Sequence, residues 1–103
     1  MIPAIADRRE EIAALCRRYH VRRLDVFGSA ARGHDFVPET SDADFLVEYD
    51  PAHAPPAFAD FLALRSALSA LLGRSVDLVM AGAVRNPYIR AAIERSREPV
   101  HEA

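Results

Sequence analysis

Between residues 57 and 72 the chain carries Phe58, Phe61, Leu62, Leu64, Leu68, Leu71 and Leu72, spaced as one apolar stripe of a helix. The stripe is fenced on both sides. Ahead of it, Asp50-Pro51 through Pro55-Pro56 places three prolines in six residues, which predicts a loop, and behind it Gly73 supplies a helix stop. The flanking runs read as strands. Asp42 to Tyr49 sets Phe45, Val47 and Tyr49 on one face, and Val76-Asp77-Leu78-Val79-Met80 is a short run rich in β-branched residues. A helix held between two strands by such punctuation points to a sheet with helices laid over it.

The rest of the chain extends this pattern. Residues 4–19 bring Ile5, Ile12, Leu15, Cys16 and Tyr19 to broadly helical spacing, with Asp7, Glu10 and Glu11 toward the end that the helix dipole favours. Residues 22–27 alternate: Leu24 and Val26 point one way, Asp25 and Phe27 the other, and Gly28 stops the strand. Ser29 to Arg32 has room for one helical turn, and His34 to Thr40 is a polar loop. Asn86-Pro87 opens a last helix that runs to about residue 97, with proline near its first turn. The expected order is helix, strand, short helix, strand, helix, strand, helix. That is an α/β or α+β layer, a short mixed sheet of about three strands covered by about four helices. At 103 residues the length predicts one domain, residues 1–103.

Composition removes several classes of function. A net charge of −2 lacks the basic excess of a protein that holds nucleic acid by its phosphates, so no direct nucleic-acid binding is expected. All 13 basic residues are arginine, so no lysine can grip a phosphate or form a Schiff base. Cys16 is the single cysteine and lies in the first helical pattern, where it reads as a small core residue. No apolar run approaches the ~18 residues of a membrane span, and the start turns charged too early for a secretory signal. The cytoplasm is the expected location.

Chemistry enters with Asp42 and Asp44, two residues apart on an expected strand, so their side chains leave the same face. Two carboxylates held together without a cation repel each other, and a divalent cation with a preference for oxygen, such as Mg²⁺, removes the conflict. A bare pair of this kind is common, however; Asp42 can cap the strand and Asp44 can face water. Gly28-Ser29 follows a strand directly. Glycine lets backbone approach a ligand closely, and the amide groups at the start of a helical turn suit phosphate oxygens. Arg32 could add a planar phosphate-binding fork, or be a solvated arginine. Asp77 interrupts an apolar strand, where a charge is costly unless paired or metal-bound. If that strand lies beside Asp42–Tyr49, Asp77 points toward the other two aspartates. His20, His34, His53 and His101 have no zinc-ligand spacing. Tyr88 reads as a packing residue of the last helix, and Glu48 as a solvated or paired charge.

Gly28-Ser29-Ala30-Ala31-Arg32-Gly33 followed by Ser41-Asp42-Ala43-Asp44-Phe45-Leu46-Val47 resembles the nucleotidyltransferase superfamily of DNA polymerase beta and kanamycin nucleotidyltransferase. The short chain and the form of the glycine motif are similar to its minimal nucleotidyltransferase (MNT) members. Twelve residues separate Ser29 from Asp42, a longer spacing than is commonest in the family, which a surface loop accommodates. The resemblance implies a polymerase beta-like core in which Gly28 and Ser29 grip a triphosphate, assisted by Arg32. It implies that Asp42, Asp44 and Asp77 hold two Mg²⁺ ions, with Asp77 helping to activate the attacking hydroxyl. The substrate implied is ATP.

Larger members of that superfamily carry a second domain that shapes the acceptor site, and this chain has no room for one. MNT proteins are similar to antitoxins paired with helical HEPN ribonuclease toxins, some of which receive AMP on a tyrosine. The reading that follows is a protein adenylyltransferase acting as antitoxin within a hetero-oligomer. Two alternatives stand beside it. One is a non-catalytic antitoxin that occludes its partner, using part of the 58–72 stripe as an interface. The other is a small-molecule nucleotidyltransferase whose pocket a homodimer completes.

Overall fold

The alternating and striped segments become a four-stranded sheet with helices on both faces, seen in a computed structural model that describes residues 1–103. The strands are β1 (Val21–Phe27), β2 (Ala43–Tyr49), β3 (Val76–Met80) and β4 (Glu98–Glu102), in the spatial order β3-β2-β1-β4. β1 runs antiparallel to both β2 and β4, whereas β2 and β3 are parallel. A parallel pair needs a crossover connection, and α4 (Phe58–Leu72) provides it. Leu64, Leu68 and Leu72, four residues apart, are the buried face of α4. Gly73 ends the helix in the left-handed conformation at φ 66°, its N–H donating to the Ser69 carbonyl at 2.8 Å.

One face of the sheet carries the core. Leu24 and Val26 of β1 and Phe45, Val47 and Tyr49 of β2 pack there with Leu64 and Leu68 of α4 and with Ile5, Ile12 and Cys16. The last three come from α1 (Pro3–Ala6) and α2 (Arg9–Arg18), where the sequence suggested one continuous helix. The helix is interrupted at Asp7 and Arg8, and both pieces bury their isoleucines in the same core. Cys16 is fully buried, and burial pushes its thiol up to about 12, the behaviour of an inert core residue.

One further difference from the sequence expectation concerns the edge of the sheet. β4 was not anticipated because Glu-Pro-Val-His-Glu has no alternating apolar signature; only Val100 is buried. Its proline and its charges suit an edge strand. The last helix, α5 (Pro87–Ser96), begins where Asn86-Pro87 predicts, the Asn86 side chain accepting from the N–H groups of Tyr88 at 2.9 Å and Ile89 at 3.3 Å. It lies on the face of the sheet that the core does not use. There Ile93 is buried, and Asp25, fully buried, accepts from Arg97 at 2.6 Å and from Arg23 at 3.0 Å. No helix is long and apolar enough to cross a membrane.

Candidate active site

The face opposite the core is fixed by strand register. Asp25 pairs with Leu46, Phe27 with Asp44, and Asp44 with Asp77 on its other side, so these side chains share one face of the sheet. α5 covers the Asp25–Leu46 part and leaves the ends of β2 and β3 open. Asp44 is half-buried there, while Asp42, just before β2, and Asp77 are exposed. Neighbouring strands lie about 4.8 Å apart, so two carboxylates on one rung repel each other. The Asp44 carboxyl is accordingly raised to about 6, first by burial, then by the charge of Asp77, then by that of Asp42.

Gly28 closes the site on the β1 side. It follows Phe27 at φ 68°, and a Cβ added to it would sit 2.9 Å from the Asp44 Oδ2. The backbone conformation calls for glycine, and any larger residue would also have to push the Asp44 carboxylate aside. α3 (Ser29–Arg32) starts immediately after it, with the N–H groups of Ala31 and Arg32 both donating to the Gly28 carbonyl at 3.1 Å. Ala30 and Ala31 are buried and root this single turn in the core, so Ser29 opens a helix whose first amide groups have no partner within it. Ser29 and the turn it opens therefore stand next to the carboxylates.

Of the six residues singled out from the sequence, Gly28, Asp44, Asp42 and Asp77 are brought together, with Ser29 next to them. Arg32 takes another course, its guanidinium forking onto Asp35 at 2.6 to 3.2 Å. One participant left no signal in the sequence. Ser96, at the end of α5, accepts the Gly28 N–H on its Oγ at 2.9 Å and ties the last helix to the glycine turn. Tyr88, expected to pack, is instead 84% exposed. Glu48 pairs with Arg22, and His34 is exposed on its loop.

The donor set is chemically suited to a divalent cation. It is made only of carboxylate oxygen, and the mutual repulsion that raises Asp44 is what a cation would relieve. The side chains do not stand as a ready-made cage: no group of three acidic, histidine or cysteine side chains is arranged to hold an ion.

Comparison with known proteins decides the family. Residues 9–100 match the nucleotidyltransferase domain. The chain belongs to the nucleotidyltransferases, in their minimal (MNT) branch. This nucleotidyltransferase is 44% identical over 80 residues to the putative protein adenylyltransferase MJ0128 of Methanocaldococcus jannaschii, an alignment covering 78% of this chain and 76% of the relative. It is 40% identical over 79 residues to the protein adenylyltransferase MntA of Thermococcus cleftensis, covering 77% and 75%. A solved minimal nucleotidyltransferase superimposes with a TM-score of 0.73 at 36% identity, covering 91% of this chain and 90% of that one. The fold is also that of the MNT antitoxin–HEPN toxin complex of Shewanella oneidensis, solved with the toxin tri-AMPylated. There the TM-score is 0.68 at 16% identity, with 96% of this chain and 73% of that chain covered. The polymerase beta-like core expected from the glycine and aspartate motifs is therefore present, with one more strand than the sequence suggested.

Proposed function

We propose that this nucleotidyltransferase transfers AMP from ATP, with Mg²⁺, to a tyrosine hydroxyl of a HEPN-type toxin and so acts as its antitoxin. The observation that carries the proposal is the shared rung of Asp44 and Asp77 with Gly28 packed against Asp44. The relatives named as protein adenylyltransferases and the fold shared with an MNT antitoxin support the choice of a protein acceptor. The open end of the site leaves room for a partner to wall the acceptor, and the reading is of an enzyme working in a cytoplasmic hetero-oligomer with its toxin.

Gly28 and Ser29 hold the triphosphate, and Asp42, Asp44 and Asp77 are the ligands for two Mg²⁺ ions. When bound, such ions lower the pKa of an attacking hydroxyl and neutralise departing pyrophosphate. The phenolic oxygen of the acceptor attacks the α-phosphorus. An O–P bond forms, the bond from that phosphorus to the oxygen bridging it to the β-phosphate breaks, and pyrophosphate leaves with the electron pair. Asp77, on the outer side of Asp44, lies where it can take the phenolic proton and pass it to water. Asp44, half-buried between Gly28 and Asp77, keeps the phosphate end and the acceptor end in one line.

The test is transfer of label from α-labelled ATP, in the presence of Mg²⁺, to the HEPN-type protein encoded beside this gene. Wild type should label a tyrosine, and Asp42→Ala should not. Equal labelling by Asp42→Ala, or none by wild type, would sink the proposal. Inhibition of the toxin that survives in the Asp42→Ala/Asp44→Ala double variant would mean that occlusion does the work.

A further inference from the structure

A cleft of about 350 Å³ runs along one side of α5, walled by Phe27, Gly28, Tyr88, Ile89, Ala92, Ile93 and Ser96 together with Arg32. Its lining is almost wholly hydrocarbon and aromatic, in contrast to the carboxylate site it adjoins. At its inner end Ser96 holds the Gly28 N–H; at its outer end Tyr88 and Ile89 stand 84% and 53% exposed. Ser96 lies eight positions beyond Tyr88, about 12 Å along the helix. The cleft therefore begins at the turn assigned to the phosphates and ends on an unpacked aromatic ring. The Asn86 cap fixes the first turn of α5 beneath that ring.

We propose that this cleft seats the purine ring of the nucleotide, with Tyr88 as its stacking surface and Ile89 and Ala92 as its apolar floor. The inference rests on the reading of Gly28-Ser29 as the phosphate grip. Two features favour the nucleotide over an acceptor side chain. Gly28 is both a wall of the cleft and the residue packed on Asp44, so the cleft is continuous with the phosphate end of the site. Across the sheet the order is Phe27, Asp44, Asp77, so the cleft lies on the β1 side while the third carboxylate lies on the β3 side. An acceptor hydroxyl that uses Asp77 enters from the β3 side, which leaves the β1 side to the nucleotide. A mostly hydrocarbon and aromatic surface suits a nucleobase, since every base offers a π face.

The experiment compares ATP with inorganic tripolyphosphate, which has the phosphates but no base, by calorimetric titration of the full chain in Mg²⁺. Tyr88→Ala should weaken ATP about tenfold, the scale of stacking on one ring, and leave tripolyphosphate unchanged. Tyr88→Phe should bind both as wild type does. Because the side chain is exposed, the variant removes no core contact, and an unchanged Tm will confirm its fold. If Tyr88→Ala binds ATP at wild-type strength, the cleft is not the base site, and loss of toxin capture by that variant would assign α5 to the partner instead. If wild type binds neither ligand, the phosphate grip fails and the purine site falls with it.

Discussion

Asp44 and Asp77 occupy one rung of the parallel β2–β3 pair, their carboxylates side by side on the face of the sheet that the core does not use. Register alone enforces this proximity, because a slip of one residue would turn one of the two into the core. The arrangement costs stability when no cation is present, as the proposed metal site would.

Asp44→Asn should therefore stabilise the metal-free protein at pH 7 while abolishing transfer. The amide removes a half-buried charge that burial, Asp77 and Asp42 all oppose. The gain is about 1–2 kcal/mol after allowance for solvent screening, a rise of roughly 5–10 °C in Tm for a chain of this size. Thermal unfolding and the labelling assay on the same preparation test both halves. A variant that loses activity and stability together would make Asp44 a structural residue.

The same carboxyl sets a pH dependence. In the unfolded chain an aspartate titrates near about 3.9, while in the folded protein Asp44 is raised to about 6. The folded state binds the proton more tightly, so its contribution to stability is complete below about pH 4 and is lost as pH rises to about 6. Other carboxylates lowered by ion pairs, such as Asp35 beside Arg32, act in the opposite direction at lower pH. The contribution of Asp44 is isolated by the difference in Tm between wild type and Asp44→Asn, which should widen between pH 4 and pH 6. Mg²⁺ should narrow that difference at pH 7 and have little effect at pH 4.5, where protons compete for the ligands.

Asp25 tests how far the sequence could be read. Leu24-Asp25-Val26 and Val76-Asp77-Leu78 present the same local pattern, a charge inside an apolar strand. One aspartate is fully buried between Arg97 and Arg23, and the other is exposed at the open end of the sheet. Nothing within either strand separates them. The difference comes from α5, which covers Asp25 and stops short of Asp77, and from Arg97, 72 residues away from Asp25 in the chain. The glycine and aspartate motifs were legible because each lies within one short segment, and the strand pattern placed Asp77. The Gly28–Ser96 bond, the exposure of Tyr88 and the polar edge strand β4 were not, because each depends on a docking between distant segments. Removing Asp25 leaves the partly buried Arg97 with only the exposed Glu94 as an ion-pair partner, so Asp25→Ala should cost about 1–3 kcal/mol. Denaturant unfolding would show it, and a loss below about 1 kcal/mol would mean that the pair is a surface contact in effect.

Tyr49 should behave in the opposite sense. Its ring belongs to the core, yet its hydroxyl is buried with no hydrogen-bond partner. Burial, with Asp60 and Cys16 adding to it, pushes that hydroxyl up to about 12. Phenylalanine keeps the ring and discards the unpaired group, so Tyr49→Phe should leave stability unchanged or raise it by up to about 1 kcal/mol. A clear destabilisation in denaturant unfolding would reveal a partner for the hydroxyl.

Gly28→Ala brings the two motifs into one measurement. At φ 68° and ψ −149°, a region open essentially to glycine, an alanine costs roughly 1–3 kcal/mol of backbone strain, and its Cβ meets the Asp44 Oδ2 at 2.9 Å. The strain is local to the turn, but the contact belongs to the pair. In an Asp44→Ala background the second part disappears, so the cost of Gly28→Ala should fall by a coupling of at least about 0.5 kcal/mol. Stability of the two single variants and the double variant, from denaturant unfolding, gives that coupling without any assay of activity. Simple additivity would mean that Asp44 turns aside freely and that Gly28 is there for its backbone alone. A measurable coupling would mean that the glycine turn and the Asp44 carboxylate are held against each other before any ligand arrives. In that case the transfer activity of Gly28→Ala should fall even at saturating ATP, because Asp44 is displaced in every molecule.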